Sequence, residues 1–191
     1  MTRAACTRWT GAVATKRSQL TVALQGTSFG VDFNPVPDRL RITSDTGQNL
    51  RVDVTTGTTT IDGSLTYPPA TAPATGVTGA AYTNNDSDPD TATTLYDIDS
   101  TLDQVSIQSP ANSGQLSATG KLGVDTDATI GADIYSEIRR GTTVDVRGGA
   151  ALTVGGRSRF YSIDILQGRA NDRGPFSRDT QVTGIAIPLD Q

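Results

Sequence analysis

Apolar and polar residues alternate with a period of two along much of this chain. Phe29, Val31 and Phe33 alternate with Gly30 and Asp32, and Leu40 and Ile42 with Arg39, Arg41 and Thr43. Leu50, Val52 and Val54 alternate with Arg51 and Asp53, and a Thr-rich stretch then ends at Ile61. Successive side chains of a strand point to opposite faces, so this spacing predicts strands with one apolar face each. Asn34-Pro35-Val36-Pro37-Asp38, Asp45-Thr46-Gly47-Gln48 and Thr55-Thr56-Gly57 supply the reversals, because Gly, Pro, Asn and Asp accept the backbone angles that turns need. The segment reads as a four-stranded antiparallel meander.

The meander recurs. A Gly-led strand returns as Gly30-Val31-Asp32-Phe33, Gly79-Ala80-Ala81-Tyr82, Gly131-Ala132-Asp133-Ile134 and Gly184-Ile185-Ala186-Ile187, at spacings of 49, 52 and 53 residues. Between these copies lies an apolar–Asp strand with a turn after it: Leu50 to Asp53, Leu95 to Asp99, and Phe160 to Asp164. We align the turns Thr55-Thr56-Gly57, Ser100-Thr101-Leu102 and Leu166-Gln167-Gly168 with one another. Strands are expected at 78–83, 93–99, 104–107 and 115–120 in the second repeat, and at 130–135, 149–154, 158–164 and 168–172 in the third. Four strands in about 40–50 residues is the size of a propeller blade, which must stack on neighbours to bury both faces. The expected fold is therefore all-β and β-propeller-like. It has about three four-stranded antiparallel blades plus partial blades at both termini, in a single domain over 1–191. The blades run about 27–62, 77–120 and 130–173, with a partial blade at 1–24 and a lone terminal strand at 183–188. A β-sandwich would explain the strand number without the repeat, and a solenoid wants shorter coils.

Arg8 to Thr15 reads as the third and fourth strands of a blade, with Thr10-Gly11 matching Thr56-Gly57. Together with the lone last strand, this suggests an N-terminally shortened propeller, or self-association through open sheet edges. A compact monomer in light scattering would count against such pairing. Residues 64–77 read as a Pro/Ala/Thr-rich loop between blades, and 135–148 as an insertion forming a solvated hairpin within the third.

Composition agrees. Nineteen of the 20 acids are Asp and 14 of the 16 bases are Arg, with 30 Thr and 20 Gly. Glu and Lys, which favour helices, are nearly absent. A net charge of −4 with scattered arginines argues against nucleic acid. No apolar run is long enough for a membrane span, and residues 1–15 lack the continuous apolar stretch of a signal peptide. Having no His and one Cys excludes a Ser-His-Asp triad, an internal disulfide and a Cys-rich metal site.

The run from Gly26 to Pro35, then Asp38 to Arg41, Ser44 to Arg51, Ala81 to Asn85 and Thr94 to Asp99, resembles a bacterial family of unknown function over roughly residues 20 to 187. Members resemble secreted or envelope-associated proteins of the propeller type. The resemblance implies an extracellular or cell-envelope location and brings no catalytic residues.

Candidate chemistry is sparse. Asp86, Asp88 and Asp90 place carboxylates at alternate loop positions, with Asp97 eleven residues after Asp86, a weak candidate calcium site since calcium takes six to eight oxygens. The competing reading is an Asp-capped hairpin tip. Asp125, Asp127, Asp133 and Glu137 form a second acidic group, read as a solvated loop in preference to a glycosidase carboxylate pair. Arg39, Arg41 and Arg51, with Asp38, Asp45 and Asp53 nearby, are read as a cross-strand ion ladder, the alternative being an Arg clamp on an anion or carbohydrate acid. A Ser–Lys pair would need Lys16 or Lys121, and neither has motif context. The expected function is a non-enzymatic binding or structural module. The alternatives are a metal-dependent propeller hydrolase or lyase, with a channel cation on residues such as Asp32 and Asn34, and a truncated copy without activity.

Overall fold

The computed structural model describes residues 4–10, 13–84, 86–177 and 180–187, with the backbone alone at 9 and 10. Fourteen strands in these residues form four antiparallel sheets. A hairpin of β1 (Ala5–Thr10) and β2 (Val13–Gln19) comes first. Three four-stranded meanders follow, each in simple sequential order. The first contains β3 (Phe29–Asn34), β4 (Arg39–Ser44), β5 (Asn49–Val52) and β6 (Thr59–Ile61). The second contains β7 (Val77–Tyr82), β8 (Leu95–Asp99), β9 (Gln104–Gln108) and β10 (Leu116–Lys121). The third contains β11 (Ile130–Arg139), β12 (Thr142–Val154), β13 (Arg157–Ile163) and β14 (Ala170–Pro175). No helix is long and apolar enough to cross a membrane among the described residues.

The first strands β3, β7 and β11 contact one another, which sets the three meanders around a common axis in the propeller-like manner. Glycine permits the approach. A Cβ on Gly30 would stand 2.7 Å from the Ala80 nitrogen, and one on Gly131 would stand 2.6 Å from the Gly184 Cα. The Gly-led recurrence in the sequence is thus a packing requirement at the axis for Gly30 and Gly131, while the position at Gly184 is open.

Period-two alternation gives each full sheet two buried faces along its inner strands. Ile42, Leu50 and Val52 pack with Leu20 and the flanking Ala4, Cys6, Val22 and Leu24 of the N-terminal hairpin region. Between the second and third sheets lies the largest apolar cluster, including Tyr96, Ile98, Val105, Leu122, Ile130, Leu152 and Ile163. Each fully buried aliphatic side chain there contributes roughly 1.5–3 kcal/mol. The contact between the first and second sheets is different in kind. Arg41, Thr43 and Asn49 on the first sheet and Thr78, Asp97, Asp99, Ser106 and Gln108 on the second are all buried, with Asp99 and Ser106 meeting the Tyr67 hydroxyl of the connector 64–77.

The structure corrects one expectation and adds detail to two. The turn at Ser100-Thr101-Leu102 joins the second and third strands of its sheet, whereas those at 53–57 and 164–168 join the third and fourth. The confusion has a physical source. Asp53, Asp99 and Asp164 each accept the backbone N–H groups two and three residues ahead, so unrelated reversals carry the same Asp signature. The true counterpart in the second sheet is the turn ending at Gly114. Secondly, the connector 64–77 is more than a loop: Leu65 and Ala74 are buried with Val77 and Leu116, and Thr66 bridges to Gln115. Thirdly, 135–148 is the expected hairpin, extending β11 and β12 from Tyr135↔Arg147 to Arg139↔Thr142 with one bulge between Glu137 and Ile138. It also packs inward, since the Thr143 hydroxyl donates to Asn84 Oδ1 at 2.6 Å.

At the N-terminus, β2 docks on the first sheet as a preceding fourth strand would. The Thr21 N–H donates to the Gly57 carbonyl, and the Ser18 hydroxyl to that of Val54. At the C-terminus, residues 183–187 form no ladder. They nevertheless occupy the first-strand position beside β11, where the Ile187 N–H donates to Asp133 Oδ2 at 2.5 Å. Tyr82 makes the corresponding bond to Asp32 Oδ2 at 2.6 Å. Residues 1–3, Gly11 and Ala12 of the expected partial blade, Asn85 of the matching motif and Pro188 of the expected last strand lie outside the described residues.

Candidate functional site

The three arginines of the first sheet converge on a groove. Arg39 and Arg41 stand on β4 and Arg51 on β5, where Arg41 and Arg51 are direct cross-strand partners. Across from them, the turn of the second sheet brings Asn112, and the end of β7 brings Tyr82. Together with Asn34 these residues line a groove of about 310 Å³ between the first two sheets.

Arg41 is the buried floor, with its side chain 2% exposed. Its Nη1 donates to Asp62 Oδ2 at 2.7 Å and to Asn49 Oδ1 at 2.8 Å. Its Nη2 donates to Asn112 Oδ1 at 2.8 Å, and its Nε to the Tyr82 hydroxyl at 3.1 Å. Arg51 grips the same carboxylate in fork geometry, through Nε at 2.7 Å and Nη2 at 2.9 Å. Arg39 is the most open of the three and lies 3.4 Å from Asp53. The expected ladder is therefore present only at Arg39–Asp53. Arg41 and Arg51 share Asp62, which the sequence reading passed over, while Asp45 accepts from the Thr27 N–H and hydroxyl. Asp62 follows the last residue of β6, outside any alternation, so period-two reasoning had no means of placing it beside β4 and β5. The three guanidiniums pair with Asp53 and Asp62, the buried Asp97 lies close enough for its charge to act on Arg41, and among the described residues no acid lines the groove itself.

The other candidates are dispersed. Asp86, Asp88 and Asp90 lie together in the loop between β7 and β8. Asp86 Oδ1 accepts from the Asp88 N–H and the Thr91 hydroxyl, and Asp88 Oδ1 from the Asp90 N–H. Asp97 lies apart from them in β8, fully buried. Asp133 faces the axis, and Glu137 pairs with Arg139 on the long hairpin. Among the described residues, no three Asp, Glu, Cys or His side chains form a group that could hold a metal. Lys16 donates to Gln19 and Lys121 to the Leu102 carbonyl. A larger hollow of about 850 Å³ flanks β13, but Arg159 on its wall is already held by Asp172 at 2.5 Å.

At the axis, Asp32 accepts from the Phe33 and Tyr82 N–H groups, and Asn34 Oδ1 from the Val36 N–H. Burial outweighs the two amides and raises the Asp32 carboxyl to about 6 from its ordinary 3.8, with the Asp133 charge adding a smaller push. A raised carboxyl favours folding while protonated. That contribution is complete below about pH 3.8, fades between 3.8 and 6, and is gone above. The whole swing, from protonated to ionised, is at most about 3 kcal/mol. Asp53, Asp145 and Asp172 are held below the usual range by hydrogen bonds and tilt stability the other way, so the test is a difference. Urea melts of Asp32→Asn and the parent should diverge in the variant's favour between about pH 4 and about pH 7. A constant gap would refute the assignment.

In comparisons with known proteins, the profile of a family described as a domain of unknown function, DUF4394, matches residues 5–186. No curated protein matches the chain, and no solved structure does.

Proposed function

The chain belongs to the DUF4394 family, and we propose that it is a non-enzymatic binding module whose groove between the first two full sheets receives an acidic group of its ligand. The observation that carries this reading is the convergence of Arg39, Arg41 and Arg51 on one groove with no acid on its wall. Arg41, held by four partners, is a fixed positive floor. Arg39 and Arg51 are partly exposed at the rim, where a planar guanidinium suits bidentate contact with a carboxylate or sulfate. The ligand class we favour is a carbohydrate acid, and the extracytoplasmic setting that goes with it rests on the family resemblance.

Titration calorimetry with uronic-acid oligosaccharides and their neutral counterparts tests this. Acidic oligosaccharides should bind with a salt-dependent affinity that Arg39→Ala lowers by about tenfold or more, while its melting temperature stays close to the parent's. Equal binding of neutral sugars, or an Arg39→Ala variant of unchanged affinity, would overturn the proposal.

One observation favours a second role. Asp86 Oδ2 is buried and has no hydrogen-bond partner, and it adjoins two further carboxylates in the same loop. The three carboxylates do not converge on a common point, and we propose that calcium draws Asp86, Asp88 and Asp90 together in the loop between β7 and β8. Calcium should raise the melting temperature relative to chelator, and Asp86→Asn should remove that rise; identical melts dispose of it.

A further inference from the structure

The region around the β1–β2 hairpin concentrates charge of one sign. Residues 1–31 hold four bases and no acid, whereas the remaining 160 residues hold twelve bases and all 20 acids, the first of them Asp32. Charge asymmetry of this kind within one chain suits an anionic partner surface.

Only the base of the hairpin is committed to the fold. Ala4, Cys6 and Leu20 pack with Ile42, Leu50 and Val52 of the first full sheet, and the Ser18 hydroxyl donates to the Val54 carbonyl. Every residue from Val13 to Arg17 is exposed, as is Arg8. Among the described residues Arg8, Lys16 and Arg17 form no ion pair, and Lys16 donates to the neutral Gln19 amide.

The register orders these residues along the hairpin. Thr10 pairs with Val13 nearest the tip, then Trp9 with Ala14, Arg8 with Thr15 and Thr7 with Lys16. At the bulge that follows, Arg17 has no cross-strand partner. Val13 is 64% exposed, so an aliphatic side chain leads and the bases come behind it. At about 3.3 Å per residue, Arg8 and Lys16 stand about 7–10 Å behind the tip pair. An apolar edge resting at the acyl boundary of a bilayer lies about 5–10 Å deep, which sets these bases level with the lipid phosphates. Long basic side chains lie along apolar surface and keep their charged heads at that level. A soluble polyanion would engage the bases and leave Val13 in water.

We propose that the β1–β2 hairpin docks on an anionic phospholipid bilayer, its tip at the acyl boundary and Arg8, Lys16 and Arg17 on the phosphates. The same surface repels the acidic remainder of the chain, so the hairpin is the face presented to it.

Trp9 is the single tryptophan of the chain, and its emission therefore reports on the hairpin alone. Phosphatidylcholine vesicles containing phosphatidylglycerol should shift that emission to the blue, and vesicles of phosphatidylcholine alone should not. Each base at the surface is worth roughly fivefold in binding, so replacing Arg8, Lys16 and Arg17 together with Ser should weaken it about a hundredfold. Added salt should weaken it as well. Val13→Ser keeps every charge and should lower binding about threefold or more. Arg39→Ala, in the groove between the first two full sheets, should leave vesicle binding unchanged. No blue shift with anionic vesicles, equal binding to neutral ones, loss of binding in Arg39→Ala, or equally strong binding of soluble heparin overturns the proposal.

Discussion

Replacing Arg41 with Met is expected to lower stability by about 3–5 kcal/mol, the cost of breaking a buried ion pair from one side. For a chain of this size the corresponding fall in melting temperature is about 6–20 °C. The side chain has four hydrogen-bonded partners drawn from both sheets: Asn49 and Asp62 from the first, Tyr82 and Asn112 from the second. Met fills much of the volume and donates nothing, so Asn49 Oδ1, Asn112 Oδ1 and the Tyr82 hydroxyl lose a buried partner together. Asp62 keeps only the Arg51 fork. Arg41→Lys keeps the charge and loses the planar fork, and should fall between. The comparison is Arg139→Ala on the long hairpin. Its ion pair with Glu137 is shorter, at 2.5 Å, but its side chain is 72% exposed, and the expected change is within about 0.5 kcal/mol. Urea denaturation of the three variants measures the difference. Equal losses for Arg41→Met and Arg139→Ala would show that the polar contact between the sheets does not hold them together.

Arg41 also marks where the sequence stops being legible. Period two and the recurrence located all twelve strands of the three full sheets, because alternation is the condition for a strand to lie between two environments. Most fall within a few residues of the expected bounds, but the expectation cuts β11 short by four residues and β12 by seven. It assigned Arg41 to a polar face and left open whether that face met water or another sheet. In a stack of sheets both faces are buried, so a polar phase reports a polar contact as readily as a solvated one. The buried Asp97 is invisible for the same reason, since in Leu95-Tyr96-Asp97-Ile98-Asp99 it looks like an ordinary outward position. The Gly-led strands were legible as a repeat, but their cause, the approach of neighbouring first strands at the axis, lies in contacts about fifty residues apart. The turns misled because the Asp cap that closes them is local chemistry, indifferent to which pair of strands it joins.

Those turns hold the second large effect. Gly168→Ala is expected to destabilise the protein by more than 3 kcal/mol, while Gly155→Ala, also at a glycine of positive φ, costs about 1 kcal/mol. Both residues have left-handed backbone, with φ +74 at Gly168 and +57 at Gly155, so the intrinsic strain of adding a Cβ is similar. The surroundings differ. Nothing lies within 4 Å of the Gly155 position, whereas a Cβ on Gly168 would stand 2.1 Å from the Gly120 carbonyl oxygen. Gly120 belongs to β10, the outer strand of the preceding sheet. The same contact recurs where Gly114 meets the Gly63 carbonyl at 2.3 Å and where Gly57 meets that of Gln19 at 2.0 Å. Each sheet thus presses the turn between its third and fourth strands onto the end of the preceding outer strand, and backbone cannot move aside as a side chain would. Because Gln19 ends β2, the N-terminal hairpin holds toward the first sheet the relation that the second sheet holds toward the third. Gly57→Ala should therefore be as damaging as Gly168→Ala. Thermal melts of the three alanine variants decide the matter: a mild Gly57→Ala beside a severe Gly168→Ala would mean that the hairpin is not docked as part of the stack.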